Sequence, residues 1–271
     1  MPSGKKSKQM RRAASAPPPV QSKGGVRRRQ ANPKVLAIVG GVVVLAAIGI
    51  GLALALGGGK SNSAAGLPTV GTLTNSLPGA ADINTMFKGI PQHGLTLGYA
   101  SAPVTMVEYI DLQCPFCQQF ETQVFPNIVK NYIRTKKVKV EARLLDFIGP
   151  DSSRGRNAMI AIGAQNRAYD FAELLYYNQA TENTGWLSNG MVGQAVSSIP
   201  GVRVADALNL ASAGSVKQQA KGFDAAAVID KVTGTPTLFV GKSGTKGKEV
   251  PLSGPTDEKT LVTSLNNALN S

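Results

Sequence analysis

The chain holds two cysteines, and they stand together as Cys114-Pro115-Phe116-Cys117. A C-x-x-C between a strand-like run and a helix-like run points to thiol–disulfide exchange. The thiolate is the reactive form of cysteine, and a helix N-terminus stabilises it with free N–H groups and a partial positive charge. The spacing puts Cys114 at the N-cap and Pro115 at the first helical position, where its missing N–H costs nothing. Cys117 falls one turn further in. The expected roles are therefore an exposed, low-pKa attacking sulfur at Cys114 and a resolving sulfur at Cys117.

Two other uses of a cysteine pair fare worse. A structural zinc site needs about four ligands, and both cysteines plus the lone His93 leave it one short. No metal or cofactor is expected. A structural disulfide closing so small a ring would restrain the unfolded chain little. Glu108 is a further candidate, six residues before Cys114 inside the apolar run VTMVEYI. A carboxylate buried there costs free energy unless it is paired or functional. It reads as a proton acceptor for Cys117 during exchange, against the alternative that it reaches the surface or pairs with a lysine. Asp111 reads as a turn or capping residue.

The elements that must position these groups are visible in the pattern. Val104–Ile110 is almost wholly apolar or β-branched, as expected of a strand buried on both faces. Phe120, Val124, Ile128 and Tyr132 recur at spacings of four, the stripe of an amphipathic helix. Pro126 within that helix predicts a kink. Residues 138–145 read as the next strand, so strand, helix and strand form a right-handed βαβ unit with parallel strands. Residues 152–177 read as helix and 178–185 as a polar loop containing Asn183. Shorter helices are expected near 186–198 and 204–213, and a longer one near 216–231. Strand character returns at 237–240, a hairpin partner follows at 249–252, and a helix over 257–269 closes the chain.

The N-terminal part is of another kind. Residues 1–34 carry five Lys, five Arg and no acid, which leaves only +3 of the net +13 to everything after them. Charge confined to a tail argues against a nucleic-acid-binding fold. Residues 35–56 carry no charge, and at about 1.5 Å per residue they would span the ~30 Å hydrocarbon core as a helix. The basic run before them predicts a cytoplasmic N-terminus and an extracytoplasmic bulk, anchored in membrane lipid. A cleaved signal peptide is the competing reading, but its charged and apolar regions would both be overlong. The expected organisation is a basic disordered tail at 1–34, a transmembrane helix at 35–56, a flexible linker at 57–81 and a folded domain at 82–271.

VEYIDLQCPFCQQFE at 107–121, followed by Thr233-Gly234-Thr235-Pro236-Thr237 before a strand, resembles the DsbA-like thiol oxidoreductases of the thioredoxin superfamily. Leu97-Gly98 and Ala102-Pro103-Val104 resemble the opening of membrane-anchored bacterial forms. The resemblance implies an α/β thioredoxin-like fold with an inserted helical subdomain at about 150–228, preceded by one transmembrane helix. It also implies a cis Thr235–Pro236 bond facing Cys114, with Thr235, Pro115 and Phe116 against substrate. Glu108 matches the acid such proteins keep beneath the disulfide. Cys114 and Pro236 lie 122 residues apart, far beyond the roughly 30 residues of a minimal βαβ unit; the excess is the insertion.

The activity implied is an oxidase that passes its disulfide to unfolded exported proteins. A quinone-linked membrane partner, DsbB-like or of the vitamin K epoxide reductase type, would reoxidise it. Phe116 stands where strong oxidases of the family carry histidine, so a reductase or isomerase stays open. A peptide-binding or chaperone module is a third reading, against which the intact cysteine pair argues.

Overall fold

The computed structural model describes residues 66–271. The basic tail, the apolar span 35–56 and the start of the linker lie outside the described residues. Among the described residues no helix is long and apolar enough to cross a membrane. Helix α1 (Ala80–Phe87) leads into a short hairpin, β1 (Gln92–His93) and β2 (Thr96–Leu97), and then strand β3 (Val104–Ile110). Helix α2 (Pro115–Gln123), a short α3 (Phe125–Ile128) and a π turn (Val129–Ile133) cross to β4 (Val138–Leu144). A helical block follows: α4 (Pro150–Gly163), α5 (Ala168–Tyr177), α6 (Asn189–Ser197), α7 (Val204–Leu210) and α8 (Gly214–Asp230). Strands β5 (Thr237–Lys242) and β6 (Lys248–Glu249) and helix α9 (Glu258–Asn270) complete the fold.

The sheet order is β1-β2-β4-β3-β5-β6. At its centre β3 pairs in parallel with β4 and antiparallel with β5, so the βαβ reading of residues 104–144 holds. β3 is largely covered: Val104, Met106 and Tyr109 have no exposed surface while Thr105 and Val107 are partly buried, in keeping with its mainly apolar sequence. Tyr109 faces Arg143 and Asp230, its hydroxyl donating to Asp230 Oδ2 at 2.7 Å. The crossover is segmented where Pro126 removes a backbone N–H, yet Phe120, Val124, Ile128 and Tyr132 all stay on the buried side. Below them Phe125 stacks on Tyr169 at 6.1 Å between ring centroids.

Three elements depart from the pattern-based reading. The stretch 152–177 is two helices, broken where Asn166 takes a left-handed φ of 58°, a conformation asparagine tolerates. The β1–β2 hairpin was not expected, because two-residue strands carry no periodic signal; it places His93 on the outermost strand of the sheet. The composition of 66–79 reads as part of the linker, but this segment lies along the helical block. Gly71 N donates to Val202 O at 2.8 Å, Thr72 N to Ser197 O at 2.8 Å and Leu77 N to Ser198 Oγ at 2.9 Å. Thr69 O accepts from Val204 N. Gly, Ser and Asn report a preference for irregular backbone; they do not say what that backbone will bind.

Candidate active site

The loop from β3 into α2 is built by Asp111. Its buried carboxylate accepts from Gln113 N at 2.9 Å and from Ile148 N at 3.1 Å, while its carbonyl accepts from Cys114 N at 2.9 Å. This turn delivers Cys114 to the N-cap of α2 in extended backbone, with Pro115 in the first turn. The helical block clamps the loop from the other side. Gln179 Nε2 donates to Leu112 O at 3.1 Å, Tyr176 OH to Asp111 O at 3.2 Å, and Gln118 Nε2 to Tyr176 O at 3.0 Å. Gln113 bridges Ser152 Oγ and Asn183 N. The polar loop 178–185 thus holds the active-site loop in place.

Both cysteines are in the dithiol form. Cys114 is less open than its expected role suggested: only 5% of its surface is exposed, while Phe116 beside it is 56% exposed. Burial arises because the segment before β5 closes over the sulfur. Cys114 Sγ lies 3.3 Å from Thr235 O, and the Thr235–Pro236 bond is cis. The Sγ–H···O contact belongs to the thiol form, whereas a hydrogen bond from the Thr235 side chain favours the thiolate.

The two sulfurs are driven apart electrostatically. The Cys117 thiol donates to the Cys114 sulfur and, with Thr235 and the N–H groups of Cys117 and Phe116, outweighs desolvation, lowering Cys114 to about 6. Cys117 is completely buried; that burial first, and its hydrogen bond to Cys114 second, push its thiol well above the ordinary value. One sulfur is therefore a thiolate near neutrality, and the other holds its proton.

Glu108 has no exposed surface, so it does not reach solvent, and among the described residues no lysine pairs with it. Burial, then the neighbouring Glu121, raise its carboxyl well above the usual range. Of the residues the sequence pointed to, Cys114, Pro115, Phe116 and Cys117 share the start of α2 with Thr235 and Pro236 set against the first sulfur, while Glu108 is buried on β3 beside Glu121 and Tyr169. Sequence reasoning missed Gln113, Tyr176 and Gln179, which hold the loop, and the buried Glu121 and Glu173. The signal for Glu121 was present in its position four residues after Cys117, on the same helix face.

A strand-to-helix dithiol with an activated first sulfur, opposed by a cis proline on a six-stranded mixed sheet, defines a thiol–disulfide oxidoreductase. The chain belongs to the family described as Thioredoxin, whose model matches residues 92–251, and within that superfamily it is DsbA-like. The probable disulfide bond formation protein D of Bacillus cereus is 30% identical over 161 residues, covering 58% of this chain and 73% of that protein. Disulfide bond formation protein D of Bacillus subtilis is 32% identical over 104 residues, covering 38% of this chain and 47% of that one. In fold, the chain is similar to oxidised BdbD from Bacillus subtilis, with a TM-score of 0.59 at 22% identity over 67% of this chain and 98% of that one. It is likewise similar to alpha-DsbA1 of Wolbachia pipientis, with a TM-score of 0.53 at 18% identity over 68% and 92%.

Proposed function

We propose that the Cys114–Cys117 pair acts as an oxidant, passing its disulfide to exported proteins with free thiols at the outer face of a membrane. The observation that carries this reading is Cys114 at the N-cap of α2, where the Cys117 thiol and the Phe116 and Cys117 N–H groups lower its pKa to about 6. A stabilised thiolate stabilises the reduced enzyme, and a stable reduced form makes the disulfide a stronger oxidant. A substrate thiolate attacks Cys114 Sγ, and Cys117 leaves with the electron pair of the broken S–S bond. A second substrate thiolate then attacks the substrate sulfur of the mixed disulfide, releasing Cys114 as its thiolate. The Thr235 backbone beside Cys114 offers a strand-like edge to the substrate peptide, and exposed Phe116 offers it an apolar contact.

The basic run at 1–34 followed by the uncharged span 35–56 supports a single anchor with the catalytic domain outside. In this reading 1–34 lies on the cytoplasmic side, and a quinone-linked membrane protein, DsbB-like or of the vitamin K epoxide reductase type, restores the disulfide. The names of the Bacillus relatives agree with disulfide formation as the direction. The deciding experiment is the reduction potential of the full-length chain against glutathione. A value near about −120 mV supports the oxidase, and one near about −270 mV overturns it in favour of a reductase. Labelling of Cys114 in intact cells by a membrane-impermeant maleimide tests the topology; protection of the thiol until lysis would refute it.

A further inference from the structure

Three buried glutamates interact with one another, and one of them stands a helical turn beyond Cys117: Glu108 on β3, Glu121 on α2 and Glu173 on α5, exposed by 0, 2 and 4%. Among the described residues, neither carboxyl oxygen of Glu108 or of Glu121, nor Oε1 of Glu173, meets a donor in hydrogen-bonding geometry. Orphaned ionised oxygens in a dry interior are among the most costly arrangements a fold can hold. Their placement is regular. Cys117 and Glu121 occupy successive turns of one face of α2. Tyr169, Glu173 and Tyr176 fall at i, i+4 and i+7 on α5, which packs against that face.

The groups that act on these carboxyls come from every element around them. Glu121 acts on Glu108, Glu173 on Glu121, and Glu108 on Glu173. Tyr169 faces Glu108, and Tyr176 faces Cys117, Glu121, Glu108 and Asp111. Glu141 of β4 acts on Tyr169. Among the described residues the charged partners of the three carboxyls are thus one another, with no cation to balance them. Burial and mutual repulsion raise all three, Glu173 to about 8. A protonated carboxyl donates to its neighbour, so protons shared within the group supply the donors that the oxygens lack.

We propose that Glu108, Glu121 and Glu173 form one shared proton store, from which Cys117 takes its proton when the disulfide is reduced and to which it returns it on reoxidation. This rests on Cys114–Cys117 being the exchanging pair. As the S–S bond breaks, its electron pair goes to Cys117 Sγ. A proton from the store then forms the Cys117 S–H bond, leaving one negative charge shared among the three glutamates. Sulfur burial is thereby matched by proton burial: the thiolate produced at full depth is neutralised without admitting water. Glu121 and Glu173 act as positioning residues that set the number of protons held.

The test is reduced-minus-oxidised infrared difference spectroscopy on the full-length chain, reduced with dithiothreitol and oxidised with glutathione disulfide. The expected result is loss of a protonated-carboxyl band on reduction, diminished in Glu121→Gln and also in Glu173→Gln. Reoxidation in both variants should slow by about tenfold near neutral pH. A band altered only by Glu108→Gln would overturn the store in favour of one glutamate acting alone. A spectrum unchanged by all three substitutions would overturn it in favour of solvent protons. The two chemical reagents act whichever way the enzyme runs in the cell, so a reductase would still show the band. A thiol count that failed to change would overturn the exchanging pair, and the store with it.

Discussion

Cys114 Sγ and the Thr235 carbonyl oxygen lie 3.3 Å apart although 121 residues separate them in the chain. Between them runs the whole helical block, so the chemistry of the first sulfur depends on a segment the sheet recovers only after a long excursion. The Cys114 environment is assembled from three sources: the start of α2, the Cys117 thiol and the turn before β5.

Removing the Cys117 thiol should raise the pKa of Cys114, because the S–H donor is the largest influence holding it down to about 6. In Cys117→Ala, alkylation of Cys114 near pH 6 is expected to slow by about threefold or more, in step with the lost thiolate fraction. An unchanged pH profile of alkylation would show that the helix N-terminus alone sets the reactivity.

Phe116 is exposed beside Cys114 and contributes no charge. Phe116→His should favour the thiolate further and shift the glutathione equilibrium toward the reduced enzyme. Each tenfold shift corresponds to about 1.4 kcal/mol, and a change of about threefold to tenfold is expected. A shift toward the oxidised enzyme would contradict this account.

The buried glutamates make stability fall as pH rises. Glu173 ionises near its ordinary 4.5 when unfolded and at about 8 when folded, so between these values the folded protein binds more protons. Its contribution is fully present below pH 4.5 and lost as pH climbs toward 8. Glu173→Gln should therefore leave stability near pH 4 almost unchanged and raise it at pH 7 by up to about 3 kcal/mol. Urea denaturation at the two pH values checks it; equal changes at both would refute a titrating origin.

Gly71 sits against the helical block with no room for a side chain. A Cβ there would run into the Ile199 carbonyl oxygen and lie 3.0 Å from that of Val196. Gly71→Val should detach the 69–77 segment, with a destabilisation of about 1–3 kcal/mol and new protease cleavage before α1. Unaltered protection would mean that the segment's hydrogen bonds contribute nothing.

Much of the sheet and site was legible because the relevant signals are local. A buried central strand reads as an apolar run, and C-x-x-C with Pro115 at the helix start announces its own geometry. What escaped depends on long-range pairing. Nothing near Gln179 or Tyr176 shows that they grip the loop around Cys114, because the contacts arise from packing α5 on α2. Glu173 escaped because a lone glutamate carries no mark of burial, and the place of Glu121 four residues after Cys117 shows only a shared helix face. The exposure expected of Cys114 failed for the same reason: the segment that covers it comes from the far end of the domain. The break at Asn166 lay inside a stretch whose composition favours continuous helix.

If the proposed anchor holds the chain, the docked segment also limits how far the enzyme ranges. With the anchor proposed at 35–56, a leash running to residue 81 would be 25 residues long and allow about 85 Å of travel. Among the described residues the first backbone hydrogen bond to the domain is made at Thr69. That leaves 12 residues between span and attachment, a maximum of about 40 Å. The catalytic dithiol would then patrol a shallow shell above the bilayer, meeting exported chains as they emerge rather than after they have diffused away.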